Sequence, residues 1–391
     1  MVRLGDVCTF YSGTGFPNIY QGKADGKYPF YKVGDISRNV LSGNRELKIC
    51  ENYIDDDTVT KIKGTLLPPQ TVVFAKIGEA LRLNRRAITS RDCLVDNNAM
   101  GIKSDDSIID SLYFYYFMCN VDLQNYCEST TVPSVRKTRI AEIEIPLPPL
   151  DEQRRIAAVL DKVSDLIAKR REQLDKLDEL VKARFVEMFG DPVSNPYNWE
   201  KVSLSELADI RIGPFGSLLH KEDYIEGGHP LVNPSHIIDG KIVIDEKLTV
   251  SHQKYVELEA YHLKAGDVVM GRRGEMGRCA VVSQEDLLCG TGSLLIRPKG
   301  KVTADYIQKI ISFPSFKKMI EDMAVGQTMP NLNVPIVSAF QIIKPPVQVQ
   351  ENYYTFVTQV DKSKLTIRQS LDKLEVLKKA LMQQYFERGD A

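Results

Sequence analysis

The chain has 391 residues, 43% of them hydrophobic, and a formal net charge of −1, enough for two or three domains with real cores. Near-neutrality excludes a broadly basic nucleic-acid binder, so any DNA contact has to come from local patches or with help from partners. Seven cysteines without a C-x-x-C pair argue against a disulfide framework or a zinc ribbon, and no apolar run reaches signal-peptide or membrane-span length, so the expectation is a reduced cytoplasmic protein with no membrane contact.

Residues 1–147 read as a first globular domain. Short β-rich runs such as TVVFAKI (71–77) lie between turn residues, and a helical patch over Ser107–Asn120 carries the run Tyr113-Phe114-Tyr115-Tyr116-Phe117. That aromatic run suits a helix core better than a stacking platform. At Pro148-Pro149 the pattern changes, and 148–190 reads as one long helix. Alternating steps of three and four pick out Ile156, Leu160, Val163, Ile167, Arg170, Leu174, Leu177, Val181, Arg184 and Met188, which is heptad spacing with two basic interruptions. Asp151 and Glu152 suit the positive end of the helix dipole, and Gly190 with Pro192 stops it. After a linker at 191–200, a second globular domain spans 201–344, with β-rich runs DVVMG, CAVVS and SLLIRP and a helical patch over Ala304–Ser312. A second long helix occupies 345–391, and the same register gives Tyr353, Val357, Val360, Lys364, Ile367, Leu371, Leu374, Lys378, Leu381 and Tyr385.

The two halves are copies. Pro148-Pro149 lies 197 residues before Pro345-Pro346, and the same offset joins Gln153 to Gln350, LDKL at 174–177 to LDKL at 371–374, and Phe189 to Phe386. Upstream, TVVFAKIGEALR (71–82) parallels DVVMGRRGEMGR (267–278), and VRLGDVCTFYSG (2–13) parallels VSLSELADIRIG (202–213). So long a period is a duplication, with pseudo-two-fold symmetry expected, and not a solenoid. A forty-residue helix spans roughly 60 Å, whereas the ten-residue linker reaches at most about 35 Å. The second domain therefore stays near the end of the first helix, and the helices should pair antiparallel with one α/β head at each end. The spacer exceeds one turn of B-DNA, about 34–36 Å, and two similar heads on a stiff rod suit two different half-sites.

The block PLPPLDEQRRIAAVLD, the heptad helix after it, the exit MFGDPVSNPYNWEKVSLSELA and the duplication together resemble the specificity subunits of type I restriction-modification systems, over nearly the whole chain. The resemblance implies a non-catalytic subunit with two target-recognition domains. Each would read one half of a bipartite, asymmetric double-stranded DNA sequence. An antiparallel coiled coil would set the spacing and dock two methyltransferase subunits of an adenine methyltransferase, and restriction subunits can join. S-adenosylmethionine, and ATP with magnesium for restriction, would belong to those partners and not to this chain. The second copy departs from the pattern where Val349 stands in place of Glu152. A scaffold with protein-binding heads is the alternative.

Two matched segments carry the candidate DNA contacts. The first holds Lys76, Arg82, Arg85 and Arg86, with Arg272, Arg273 and Arg278 in the second copy. Arginines near glycine turns can reach phosphates or bind guanine through two hydrogen bonds. The second lies just before each long helix: Arg136, Lys137 and Arg139, matched by Gln327, Thr328, Asn331 and Asn333. In the resembled family such loops lie near the DNA face, and Asn and Gln suit adenine. Solvated turns are the competing explanation for both.

Other motifs lack the context their chemistry needs. Asn195-Pro196-Tyr197 lacks the second proline of an amino-methyltransferase motif and sits in a linker. Ser12-Gly13-Thr14-Gly15 and Gly290-Thr291-Gly292 complete neither a dinucleotide nor a phosphate loop. Asp35 with Glu46 and Lys48 mimics a nuclease triple by chance. His220, His229, His236, His252 and His262 all fall in the second domain, without metal-ligand spacing to cysteine.

Overall fold

The structure, a computed structural model, describes residues 1–127, 132–324 and 331–387. The chain forms two compact units, Met1–Leu174 with Thr366–Ala391, and Asp175–Leu365. Each unit is therefore one head together with a segment of both long helices.

In the first head, four strands pair antiparallel in the order Cys8–Ser12, Ala99–Ser104, Val72–Ala75, Ala87–Ile88. Val72–Ala75 is buried along its whole length, which is why it reads as a continuous apolar run without alternation. A smaller sheet joins Tyr53–Ile54, Tyr28–Tyr31 and Leu94–Val95, the last pairing parallel. Val2–Arg3 pairs antiparallel with Glu144–Ile145, bringing the two ends of the head together just before the first long helix.

The second head repeats the plan. Its four-stranded sheet runs Ala208–Ile212, Ser293–Pro298, Val268–Gly271, Cys279–Val281, all antiparallel. His229–Val232 pairs parallel with Leu287–Cys289, and Lys201–Ser203 closes on Gln341–Ile343. Matched glycines serve both copies. A Cβ on Gly13 would stand 1.8 Å from the Asp96 carbonyl oxygen, and one on Gly213 1.9 Å from that of Gly290. The glycine-rich stretches are thus places where two backbones cross, not ligand loops.

The long helices run Leu150–Phe189 and Val347–Phe386, 40 residues each. In the first unit Ile156, Ala157 and Leu160 share a core with Met382 and Phe386, and further along Arg171 bonds Glu375 at 2.7 Å, so the two segments run antiparallel. The aromatic helix Ser111–Asn120, capped by the Asp110 carboxylate, completes that core. The Phe386 ring lies 5.2 Å from Tyr113 and 5.7 Å from Phe117. In the second unit Tyr353 OH donates to the Val181 carbonyl at 3.2 Å and Lys364 pairs with Asp178 at 2.5 Å, again antiparallel. Phe185 and Phe189 pack there around Tyr306 and Tyr353.

The heptad register follows burial. Ile156, Leu160, Val163 and Ile167 are buried and Leu174, Ile367, Leu371, Leu374 and Leu381 half-buried in the first unit. In the second, Val181 and Val360 are buried and Leu177 and Val357 half-buried. The basic interruptions are accommodated individually. Lys364 is 8% exposed and its ammonium reaches Asp178. Lys378 lies 5.7 Å from the Tyr116 ring, and burial lowers its pKa.

The first helix ends at Gly190, whose φ of +75° only glycine adopts cheaply. Beyond it, Asn195 accepts from the Trp199 backbone N–H and donates to the Trp199 carbonyl, at 2.9 and 2.8 Å. Both ends of the Asn195-Pro196-Tyr197 amide are thus spent on a turn.

Candidate nucleic-acid interface

Each head carries a loop between the third and fourth strands of its main sheet. In the first head it follows Val72–Ala75 and returns at Ala87–Ile88; in the second it follows Val268–Gly271 and returns at Cys279–Val281. Pairing fixes the correspondence: Val73 faces Ala87, and Val269 faces Ala280. The first interval is fourteen positions and the second eleven (87 − 73 and 280 − 269), so the second loop is three residues shorter. The longer loop forms the short helical turn Glu79–Arg82.

These loops meet the pre-helix segments, so the two candidate clusters converge in both heads. In the first head Val135 N–H donates to the Lys76 carbonyl at 3.0 Å, Gly78 N–H donates to the Pro133 carbonyl at 2.8 Å, and Ile77 bridges Ser134. In the second, Leu332 N–H donates to the Arg272 carbonyl at 2.9 Å and Arg273 bridges Asn331. The Arg272 side chain adds a hydrogen bond from Nε to Asn331 Oδ1 at 3.1 Å. Its pKa is lowered by burial and by the neighbouring Arg273 charge.

The candidate side chains sort by exposure. Arg82, Arg136, Lys137, Arg139 and Arg273 are exposed, and Lys76, Arg85, Arg272, Arg278 and Asn331 half-buried. Several carry local partners: Arg82 with Glu79 at 3.3 Å, Arg139 with Glu142 at 3.0 Å, Arg278 with Glu275 at 2.7 Å. Lys137 lies 5.4 Å from the Phe10 ring. Exposed pairs of this kind are worth little and open readily, so a phosphate can compete for these arginines.

Arg86 is corrected from a DNA contact to a core residue. It is 3% exposed, its guanidinium sits 4.9 Å from the Phe74 ring, and it donates to Asn84 Oδ1 at 2.6 Å and the Arg85 carbonyl at 3.1 Å. Burial pushes its pKa down to about 10. Counted back from the paired strands, its counterpart is Cys279, also buried, so this is a core position of the fold. Asn333 spends its side-chain oxygen capping Val334–Ser338, accepting from Ile336 N–H at 2.9 Å. Gln327 and Thr328 lie outside the described residues.

The remaining motifs resolve into structure. Asp35 is buried and accepts from Lys32 N–H at 2.8 Å, capping its own helix. His229 and His262 both stack on Tyr255, at 3.9 and 3.8 Å, and His229 Nε2 lies 3.1 Å from His252 Nδ1. Among the described residues no group of three or more His, Cys, Asp or Glu is placed to hold a metal, and no helix is long and apolar enough to cross a membrane. Sequence reasoning missed Ile77 and Val132, which are exposed at the first tip. Only polar side chains look like DNA contacts in a sequence, whereas the 196-residue offset between Ile77 and Arg273 marks the position.

A family model for the type I restriction modification DNA specificity domain matches residues 1–178 and again 196–377. Among curated proteins, the type I restriction enzyme MjaVIII specificity subunit of Methanocaldococcus jannaschii is 23% identical, over 98% of this chain and 90% of that protein. The EcoBI specificity subunit of Escherichia coli is 18% identical, over 73% of this chain and 62% of that protein. Of solved structures, a chain from work on complex assembly and conformational transition of the type I R-M system superposes with a TM-score of 0.62 at 19% identity, covering 100% of this chain and 97% of that one. The S subunit from M. genitalium superposes with a TM-score of 0.56 at 14% identity, covering 100% and 96%. At these identities the superpositions show the fold.

Proposed function

The chain belongs to the family of type I restriction-modification DNA specificity proteins, and from that premise we propose that it is the subunit that reads a bipartite, asymmetric target on double-stranded DNA. Each head reads one half-site. The paired long helices hold the half-sites at a fixed separation and dock two methyltransferase subunits, which modify adenine, and restriction subunits join the same assembly. The chain is non-catalytic and acts in the cytoplasm. S-adenosylmethionine, and ATP with magnesium for restriction, are bound by the partners.

One observation carries this function: both heads bring the same two loops together on the same backbone register, yet fill them with different side chains. Shared register keeps each tip in one geometry, and different side chains give each its own base preference. Near-neutral charge adds that tight, specific binding depends on the assembled complex. The test is long-read mapping of methylated adenines in hosts with and without this gene. A two-part adenine motif that disappears on deletion is the expected result, and unchanged methylation sinks the proposal. Exchanging residues 1–147 for another specificity subunit's first head should then alter one half of the motif only. A scaffold with protein-binding heads predicts no sequence preference even with partners present.

A further inference from the structure

The two tips share a backbone plan and differ at its exposed centre. Counted from the paired strands, Ala75 corresponds to Gly271, Lys76 to Arg272 and Ile77 to Arg273. The bridges Ile77–Ser134 and Arg273–Asn331 are the same bridge in two copies. The next residue is glycine in both, Gly78 at φ +74° and Gly274 at φ +80°. Nothing lies within 4 Å of where either Cβ would stand, so these glycines are needed for left-handed backbone and not for space. Each head therefore turns sharply just after one residue and presents that residue from the same position.

What is presented differs in kind. Ile77 is 37% exposed and Val132, beside the Pro133 that accepts from Gly78, is 52% exposed. Arg273 is exposed and makes no hydrogen bond or ion pair among the described residues, while Arg272 next to it is engaged with Asn331. An arginine fork fits the O6 and N7 acceptors of guanine, and small apolar side chains fit the 5-methyl group of thymine, both in the major groove. We propose that this bridge residue sets base preference in each half-site: Arg273 donates through two hydrogen bonds to a guanine, and Ile77 with Val132 packs on a thymine methyl group. The inference rests on the DNA-reading function above.

The experiment uses the full chain assembled with its host's methyltransferase subunits, selected on a randomised duplex library and then measured on the winning duplex. Wild type comes first. If it selects no two-part sequence, the DNA-reading function fails and the inference with it. If it does, the inference stands or falls separately. Arg273→Ala should lose about 5- to 150-fold discrimination for guanine at one position of one half-site, with the other half-site unchanged. Uniform weakening on all sequences with a shallower salt dependence would make Arg273 a phosphate contact and overturn that half. For the first head, each thymine of the other half-site is replaced by deoxyuridine, which removes the methyl group alone. One such replacement should weaken wild type severalfold and weaken Ile77→Ala clearly less, since Val132 remains. A penalty of equal size in Ile77→Ala, or no uracil effect at any position, overturns the methyl contact. Both side chains are exposed, so the variants should keep the wild-type circular dichroism and unfolding midpoint.

Discussion

The two head-to-helix junctions use the same clamp and differ beside it. In the first unit Gln153, fully withdrawn from water, accepts from Asp110 N–H at 2.9 Å and donates to the carbonyls of Ile108 and Pro148 at 3.0 and 2.8 Å. In the second, Gln350 accepts from Thr303 N–H at 3.0 Å and donates to the Pro345 carbonyl at 2.9 Å. Each glutamine ties the N-terminus of a head helix to the prolines that open a long helix, so the direction of the long helix is fixed against the head. About two helical turns further on, the copies part. Asp161 accepts from Tyr116 OH at 2.8 Å and pairs with Arg45. Its counterpart Thr358 instead borders an open cleft of about 510 Å³, together with Thr303, Asp305 and Tyr354. The Tyr354 hydroxyl there is buried with no hydrogen-bond partner among the described residues. Duplication thus kept the clamp that sets direction and left the flank free to diverge, because only the clamp is needed to align head with helix.

Breaking the clamps gives the largest effect. Gln153→Leu strands one part-buried backbone N–H and two carbonyls and should cost about 2–3 kcal/mol, against about 1–2 kcal/mol for Gln350→Leu, where fewer groups are stranded. Denaturant unfolding followed by circular dichroism ranks them. The single tryptophan, Trp199 in the second unit, should report Gln350→Leu in its fluorescence and stay silent to Gln153→Leu if the units unfold separately. Equal costs would mean that hydrogen-bond number does not govern the clamp.

The flanks come next. Asp161→Ala should destabilise by about 1 kcal/mol, since the Arg45 and Asp161 side chains are 34% and 28% exposed and water screens part of the pair. Thr358→Ala should stay within about 0.5 kcal/mol. A comparable loss at Thr358 would show that the cleft is structurally occupied in solution.

The smallest effect sharpens the comparison of helix segments. Lys364 stands where the first copy has Ile167. Its partner Asp178 is 56% exposed, so removing the lysine leaves no charge buried. Lys364→Ile should therefore be neutral or stabilising by up to about 1 kcal/mol. A clear loss of stability would mean that the buried ammonium is what holds the helix register.

The repeat, the two long helices and their apolar register were legible in the sequence because each rests on local periodicity. A 3,4 pattern and a glycine stop leave little freedom over forty residues. The tips proposed to read bases were half legible. Arginine beside glycine marked the loops that meet the pre-helix segments, yet Arg86 and Arg85 look alike in sequence. Only strand pairing separates them, by placing Arg86 at the buried position that Cys279 fills in the other head. The repeat aligned Ile77 with Arg273, but neither Ile77 nor Val132 carried a chemical signal, since an exposed apolar residue is recognised only once the surrounding chain has left it uncovered. The sequence by itself determined that there are two copies, where each head gives way to a helix, and which helix face is buried, since neighbours along the chain decide these. Tertiary structure alone decided which arginine faces water, which glycines serve crossings and which serve turns, and which residue stands at each tip. Those depend on separate segments meeting in one register, such as the bridges Ile77–Ser134 and Arg273–Asn331.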